Sequence, residues 1–137
     1  MLIKQISVFL ENKPGTLSQL IHLLADNDID LEALMIAEAR DYGVLRIIVD
    51  KPAETERLLR ERDIPCAINQ VLAVQVSDKP GSLTKILAVL ADNDISLLYS
   101  YAFLSRTQGK AFIVLRVDDN SAAEKLLNDG GIASQLI

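Results

Sequence analysis

The chain has 137 residues, half of them hydrophobic, with few aromatics, no Trp and a formal net charge of −5. That composition can bury a core and is not that of a disordered tail. Its basic residues stand singly (Lys4, Arg40, Lys51, Arg106) or alternate with acids (Arg57, Arg60, Arg62), which suits neither nucleic acid nor an anionic membrane as a partner.

The first residues, Met1-Leu2-Ile3-Lys4-Gln5, lack the regions of a secretory signal. No apolar run approaches the roughly 20 residues that cross a bilayer, so a soluble, cytoplasmic protein is expected. Ile6, Val8 and Leu10 alternate with Ser7, Phe9 and Glu11, which predicts a strand. Lys13-Pro14-Gly15 breaks it. Leu17, Leu20, Ile21 and Leu24 then fall at helical spacing, with Thr16 and Gln19 placed as a capping box and Asp26-Asn27-Asp28 as the stop. A second strand is predicted from about Leu31 to Ala39, and Asp41-Tyr42-Gly43 turns it into a third over Val44 to Asp50. Lys51-Pro52 opens a second helix carrying Leu58 and Leu59. A short strand follows Ile64-Pro65.

The chain then starts again. Lys13-Pro14-Gly15-Thr16-Leu17 recurs as Lys79-Pro80-Gly81-Ser82-Leu83 at an offset of 66, and Leu24 to Ile29 recurs as Leu90 to Ile95 at the same offset. Val49-Asp50 matches Val117-Asp118 at an offset of 68, which predicts a two-residue insertion in the turn Ser105 to Gly109. In the second copy Ser82, followed by Lys85, keeps the cap without the box. The expected fold is α+β: two tandem ferredoxin-like βαββαβ modules, residues 1–68 and 69–137, each an antiparallel four-stranded sheet with helices on one face. Ala67 to Leu72 is expected to run from the last strand of one copy into the first of the next. Modules this small fold marginally alone, so a shared interface is expected.

A sheet with helices on one side should alternate cleanly between apolar and polar residues. The third strands do not: Leu45, Ile47 and Val49 form one face, yet Val44 and Ile48 accompany Arg46 on the other, and Phe112 and Val114 behave alike in the second copy. Tyr99, Tyr101 and Phe103 stand where the first copy has Ala33, Met35 and Ala37. The face away from the helices is therefore expected to be covered.

Catalytic constellations are missing. The one histidine, His22, corresponds to Ala88 in the second copy and reads as a helix-surface residue. Cys66 reads as a buried small hydrophobe. There is no zinc spacing, no phosphate-binding loop and no nucleophile elbow. Asp26, Asp28 and Asp30 lack the later glycine and glutamate of a calcium loop and read as a solvated helix end. No catalytic residue, metal or cofactor is expected.

What recurs is a loop, Asn12-Lys13-Pro14-Gly15 and Asp78-Lys79-Pro80-Gly81, between the first strand and first helix of each copy. Helix-opening amides are unsatisfied and point outward, and the helix dipole adds positive potential, so an anion such as a carboxylate fits there. Glycine lets a ligand come close to the backbone. Asn12 or Asp78 could receive an α-ammonium group. A Pro-Gly turn also needs no ligand to explain it, and the residues alone leave both readings open.

Ile6 to Leu17 followed by Asp28-Ile29-Asp30-Leu31 resembles the signature of ACT domains, and the second copy repeats it from Leu72 through Leu83 and at Asp94-Ile95-Ser96-Leu97. The resemblance covers essentially the whole chain as two modules. It implies small regulatory domains that bind amino acids where modules meet edge to edge, as in phosphoglycerate dehydrogenase, aspartokinase and the acetolactate synthase regulatory subunit. It implies a ligand site at Asn12, Lys13, Pro14, Gly15, Thr16, Leu17, Asp30 and Leu31, and at Asp78, Lys79, Pro80, Gly81, Ser82, Leu83, Ser96 and Leu97. Asn12 and Gly15 match the ligand-binding asparagine and glycine of the dehydrogenase-type loop. That loop's histidine is replaced by Leu10, its asparagine by Asp78 in the second copy, and a second asparagine by Asp30 and Ser96, so the two copies need not bind alike. The expected function is a stand-alone sensor, homodimeric, that binds a small amino acid or related carboxylate and acts on a metabolic enzyme. The alternative is a non-catalytic regulatory subunit that works through protein contacts without a ligand of its own.

Overall fold

A computed structural model describes residues 1–38, 41–104 and 109–131. The elements are β1 (Leu2–Glu11), α1 (Thr16–Asp26), β2 (Leu31–Glu38), β3 (Tyr42–Val49), α2 (Pro52–Glu61), β4 (Cys66–Ser77), α3 (Thr84–Asp92), β5 (Leu97–Ala102), β6 (Lys110–Val117) and α4 (Asn120–Asp129). This is the α+β order of tandem ferredoxin-like modules. The chain clusters into two compact units, one of Lys4–Asn69 and one that joins Met1–Ile3 to the residues from Gln70 onward. As expected, residues 67–72 lie within one uninterrupted strand, β4. The predicted insertion, and the predicted end of β2 at Ala39, fall outside the described residues.

In the first unit the strands lie in the order β2-β3-β1, with β3 antiparallel to both neighbours. Phe9 N–H donates to Pro65 O at 3.1 Å and Gln5 Nε2 donates to Asn69 Oδ1 at 3.1 Å, which sets the first residues of β4 beside β1. Strand alternation then puts Ile6 and Val8 of β1 and Leu45, Ile47 and Val49 of β3 on one face. There they pack with Leu20 and Leu24 of α1 and Leu59 of α2.

The second unit repeats this. Its strands run β4-β6-β5, antiparallel throughout, and Met1 O accepts from Ala73 N–H at 2.9 Å. Leu72, Val74, Leu115 and Val117 pack with Ile86 and Leu90 of α3 and Leu127 of α4. Repeat-equivalent positions fill the two cores: Leu24 matches Leu90, Ile29 matches Ile95 and Leu59 matches Leu127. Two fully buried positions of the first unit are polar where the second copy is apolar: Gln5, which stands where the second copy has Val71, and Thr55. Thr55, fully buried, stands where the second copy has Ala123, and its hydroxyl is satisfied by Lys51 O at 2.8 Å.

The opposite face of the strands is buried in part, although Phe9 on it is 47% exposed. Ala33, Ile48, Val71, Ala73 and Val114 are each no more than 3% exposed, yet none belongs to a helix-side core. In the second unit that face carries the stacked pair Tyr99 and Tyr101, with ring centroids 6.4 Å apart, and the edge-on pair Phe103 and Phe112. The broken alternation of the third strands thus reports real burial on both faces.

Two local expectations are corrected. Thr16 does not cap α1. The N-cap is Gly15, in the left-handed region at φ 86° and without a side-chain cap, so Thr16 already lies inside the helix and its hydroxyl donates to Lys13 O at 3.1 Å. Ser82 does not cap α3 either. Its N–H turns back onto Lys79 O and Thr84 N–H onto Gly81 O, which delays the helix to Thr84. The one side-chain cap recorded for these helices is Asp119 of α4, accepting from Ala122 N–H at 3.0 Å.

Candidate functional site: the two strand–helix loops

The loop of the first unit is a tight, internally bonded turn. Asn12 N–H donates to Asp41 O at 3.2 Å, Lys13 N–H to Glu11 O at 2.9 Å and Thr16 N–H to Lys13 O at 3.3 Å. Gly15 then takes its positive φ and its carbonyl starts the helix by accepting from Gln19 N–H at 2.9 Å. Only a residue without a β-carbon adopts that conformation freely. The second loop uses the same residues in a longer turn: Asp78 N–H donates to Gly109 O at 3.1 Å, and Gly81 has φ 79°. Among the described residues no side chain plugs either glycine. A β-carbon built on Gly15 would meet nothing within 4 Å, and one on Gly81 only Thr84 Oγ1 at 3.8 Å.

Each loop borders a cleft. The first, of about 950 Å³, runs along one flank of α1. Lys13, Pro14 and Thr16 form its end, Gln19 and Leu23 its side, and Ile64 belongs to the far wall, the connection from α2 to β4. Exposed His22 stands on this cleft too. The second, of about 400 Å³, is lined by Lys79, Pro80, Gly81, Ser82 and Lys85, with Gly131 opposite. Most of these are the same positions of the repeat, but Gly81 has no counterpart in the lining of the first cleft, where Gly15 is missing, and the expected residues Asn12 and Asp78 line neither cleft. Volumes of roughly 300–1,000 Å³ are those of small-molecule sites.

The remaining expected residues are placed elsewhere. Leu17 and Leu31 pack against the first core and Leu83 against the second; Leu17 and Leu83 follow their loops directly, whereas Leu31 lies at the other end of its sheet, opposite Val49. Leu97 is 37% exposed on β5. Asp30 and Ser96 open β2 and β5. Asp30 N–H donates to Asp50 Oδ1 at 2.9 Å and Ser96 N–H to Asp118 Oδ1 at 3.2 Å. Both sit at the far end of their sheets. Along β3, Tyr42 lies opposite Glu11 while Val49 lies opposite Leu31, a separation of roughly 24 Å for about seven strand residues. Asn12 and Asp30 of one module therefore cannot touch the same small ligand. Sequence reasoning missed the wall made by Arg62–Pro65, because nothing local links those residues to the Pro-Gly turn.

The charges at the loops are distinct. Lys13 Nζ lies 2.7 Å from Glu11 Oε2, and the hydrogen bond and charge of that lysine hold the Glu11 carboxyl below its ordinary range, while Lys13 is raised in turn. At the other end of the first unit, burial pushes the Glu32 carboxyl up, and the nearby charges of Asp30 and Asp50 push the same way. A raised folded-state value means that protonated Glu32 favours folding and that this contribution is lost as pH rises through that value. Glu32→Gln is therefore expected to stabilise the fold at pH 7 by less than about 1 kcal/mol for a partly solvated group, seen as a slightly higher melting temperature. The gain should vanish below the ordinary Glu range; thermal melts at pH 3.5 and 7 check it. Burial likewise raises the thiol of Cys66, which leaves little thiolate to act as a nucleophile. Among the described residues no His/Cys/Asp/Glu group is arranged to hold a metal, and no helix is long and apolar enough to cross a membrane.

Residues 1–132 match the family model described as an ACT domain pair. The chain belongs to that family. Among solved structures, this ACT pair resembles a protein of Bacteroides thetaiotaomicron at 31% identity and a TM-score of 0.92, covering 98% of this chain and 92% of that one. It also resembles the regulatory subunit of aspartate kinase from Thermus thermophilus in its ligand-free form, at 14% identity and a TM-score of 0.65, covering 94% of each chain. The corresponding subunit from Thermus flavus gives 13% identity and a TM-score of 0.58, with 96% and 95% covered. At such identities the two Thermus likenesses establish the shared fold. No curated protein sequence matches this one.

Proposed function

We propose that this ACT pair is a regulatory protein, without catalysis of its own, that binds a small amino acid or related carboxylate at its strand–helix loops. We further place it in the cytoplasm, as a homodimer acting on a metabolic enzyme. One observation carries the reading: both Pro-Gly turns border an open cleft, and among the described residues a β-carbon at either glycine would meet at most the Thr84 hydroxyl, 3.8 Å from Gly81. A carboxylate there meets backbone amides and the positive end of a helix, and the absent β-carbon lets it approach. The Thermus relatives are regulatory subunits of an enzyme of amino-acid metabolism, and one of them was solved in a ligand-free form, which supports the same role here. Because Asn12 and Asp30 sit at opposite ends of a module, the site proposed at the first loop does not include Asp30.

The test is a thermal-shift screen of the purified chain against the twenty amino acids and related keto and aryl acids. A true ligand at about 100 times its dissociation constant should add roughly 2.7 kcal/mol of stability. If none shifts the midpoint, and the chain instead co-purifies with a larger enzyme regardless of added ligand, the contact-only reading replaces this one.

A further inference from the structure

The two clefts are built from matched positions, and the substitutions between them change their charge. In the first, the loop lysine is neutralised: Lys13 is held 2.7 Å from Glu11, and both line the cleft with Gln19 and Asp63. In the second, Glu11 is replaced by Ser77, Gln19 by Lys85 and Asp63 by Gly131, all of which line the cleft beside Lys79. The first cleft is lined by three carboxylates, Glu11, Asp26 and Asp63, against the two cations Lys13 and Arg62, whereas the second keeps two cations, Lys79 and Lys85, with no carboxylate among its described lining residues. Lys79 and Lys85 make no ion pair recorded with any described residue, and neither is buried. Two cations on one cleft of about 400 Å³, with no carboxylate among its described lining residues, favour a ligand that carries two negative charges.

We propose that the second module's cleft takes a small dianion, with the chemistry shared by a dicarboxylate and a phosphate monoester, whereas the first takes nothing more anionic than a zwitterion. This rests on the reading of the loops as carboxylate sites and adds the ligand class and the module. The two copies then answer different signals.

The experiment uses the full chain labelled with nitrogen-15, titrated at low salt with succinate, inorganic phosphate and any amino acid that shifts its melting. Succinate or phosphate should move the amide signals of Lys79 to Lys85 and leave those of Lys13 to Gln19 in place; whichever of the two acts identifies the ligand's source. Lys85→Gln and Ser77→Glu, both at exposed positions, should each weaken that response roughly two- to fivefold, as for one screened charge, and added salt should weaken it further. The reverse pair, Glu11→Ser with Gln19→Lys, should give the first loop a response it lacked, a gain that misfolding cannot imitate. Dianions that move both loops alike, or neither, overturn the inference; if an amino acid still shifts the melting, the sensor reading survives that result. A chain silent to every probe loses both.

Discussion

Leu24→Ala and Leu90→Ala should each cost about 3 kcal/mol, the middle of the range for emptying a leucine-sized space in a packed core. The two side chains are 1% and 2% exposed and occupy the same place in the repeat, on the buried stripe of α1 and of α3. A unit of this size has only roughly 3–10 kcal/mol to lose. Each variant should therefore melt roughly 12–24 °C lower or fail to accumulate folded protein. Ser18→Ala, on the exposed side of α1, should move the midpoint by less than about 0.5 kcal/mol. Urea denaturation reads all three. Equal costs at 24 and 90 would mean that the repeat is energetic as well as geometric. A midpoint unchanged in either leucine variant would show that the core assigned to that unit is wrong.

Much of this architecture was legible because each module is written in two periods. Ile6, Val8 and Leu10 repeat every second residue and Leu17, Leu20 and Leu24 every third or fourth, and both sets were later found in or against one core. The duplication at offset 66 made the reading stronger, since an accident in one copy would not recur in the other. What failed was finer than an element. Lys-Pro-Gly-Thr-Leu and Lys-Pro-Gly-Ser-Leu look interchangeable, yet α1 begins at Thr16 whereas α3 begins at Thr84, two residues later in the repeat. The decision lies in which amide turns back on which carbonyl, and local sequence does not settle that balance. The far wall of the first cleft was illegible for another reason: Ile64 and Pro65 reach the Pro-Gly turn only through the pairing of Phe9 with Pro65, a contact across more than fifty residues. By contrast, Glu11/Ser77 and Gln19/Lys85 could have been read from the aligned copies at once.

The other large effect concerns the glycines themselves. Because Gly15 and Gly81 have φ of 86° and 79°, a β-branched replacement is strained whatever the surrounding space, by about 1–2 kcal/mol. Gly15→Val would therefore confuse a folding defect with a lost site. Asparagine separates them, since it enters the left-handed region far more readily than other side chains. With nothing within 4 Å of the added β-carbon at Gly15 and only a hydroxyl at 3.8 Å for Gly81, its side chain has room to stand over the amides without disturbing the turn. Gly15→Asn and Gly81→Asn should keep a melting midpoint within about 1 kcal/mol of the parent. Each should weaken ligand at its own loop more than tenfold, because a carboxylate deprived of close backbone approach loses charge-assisted hydrogen bonds worth about 1.5–3 kcal/mol each. Calorimetric titration of the two single variants and their combination reads the result. A double variant that folds and still binds with parental affinity would mean that no ligand approaches these turns, and the open space beside the glycines would be turn geometry and nothing more.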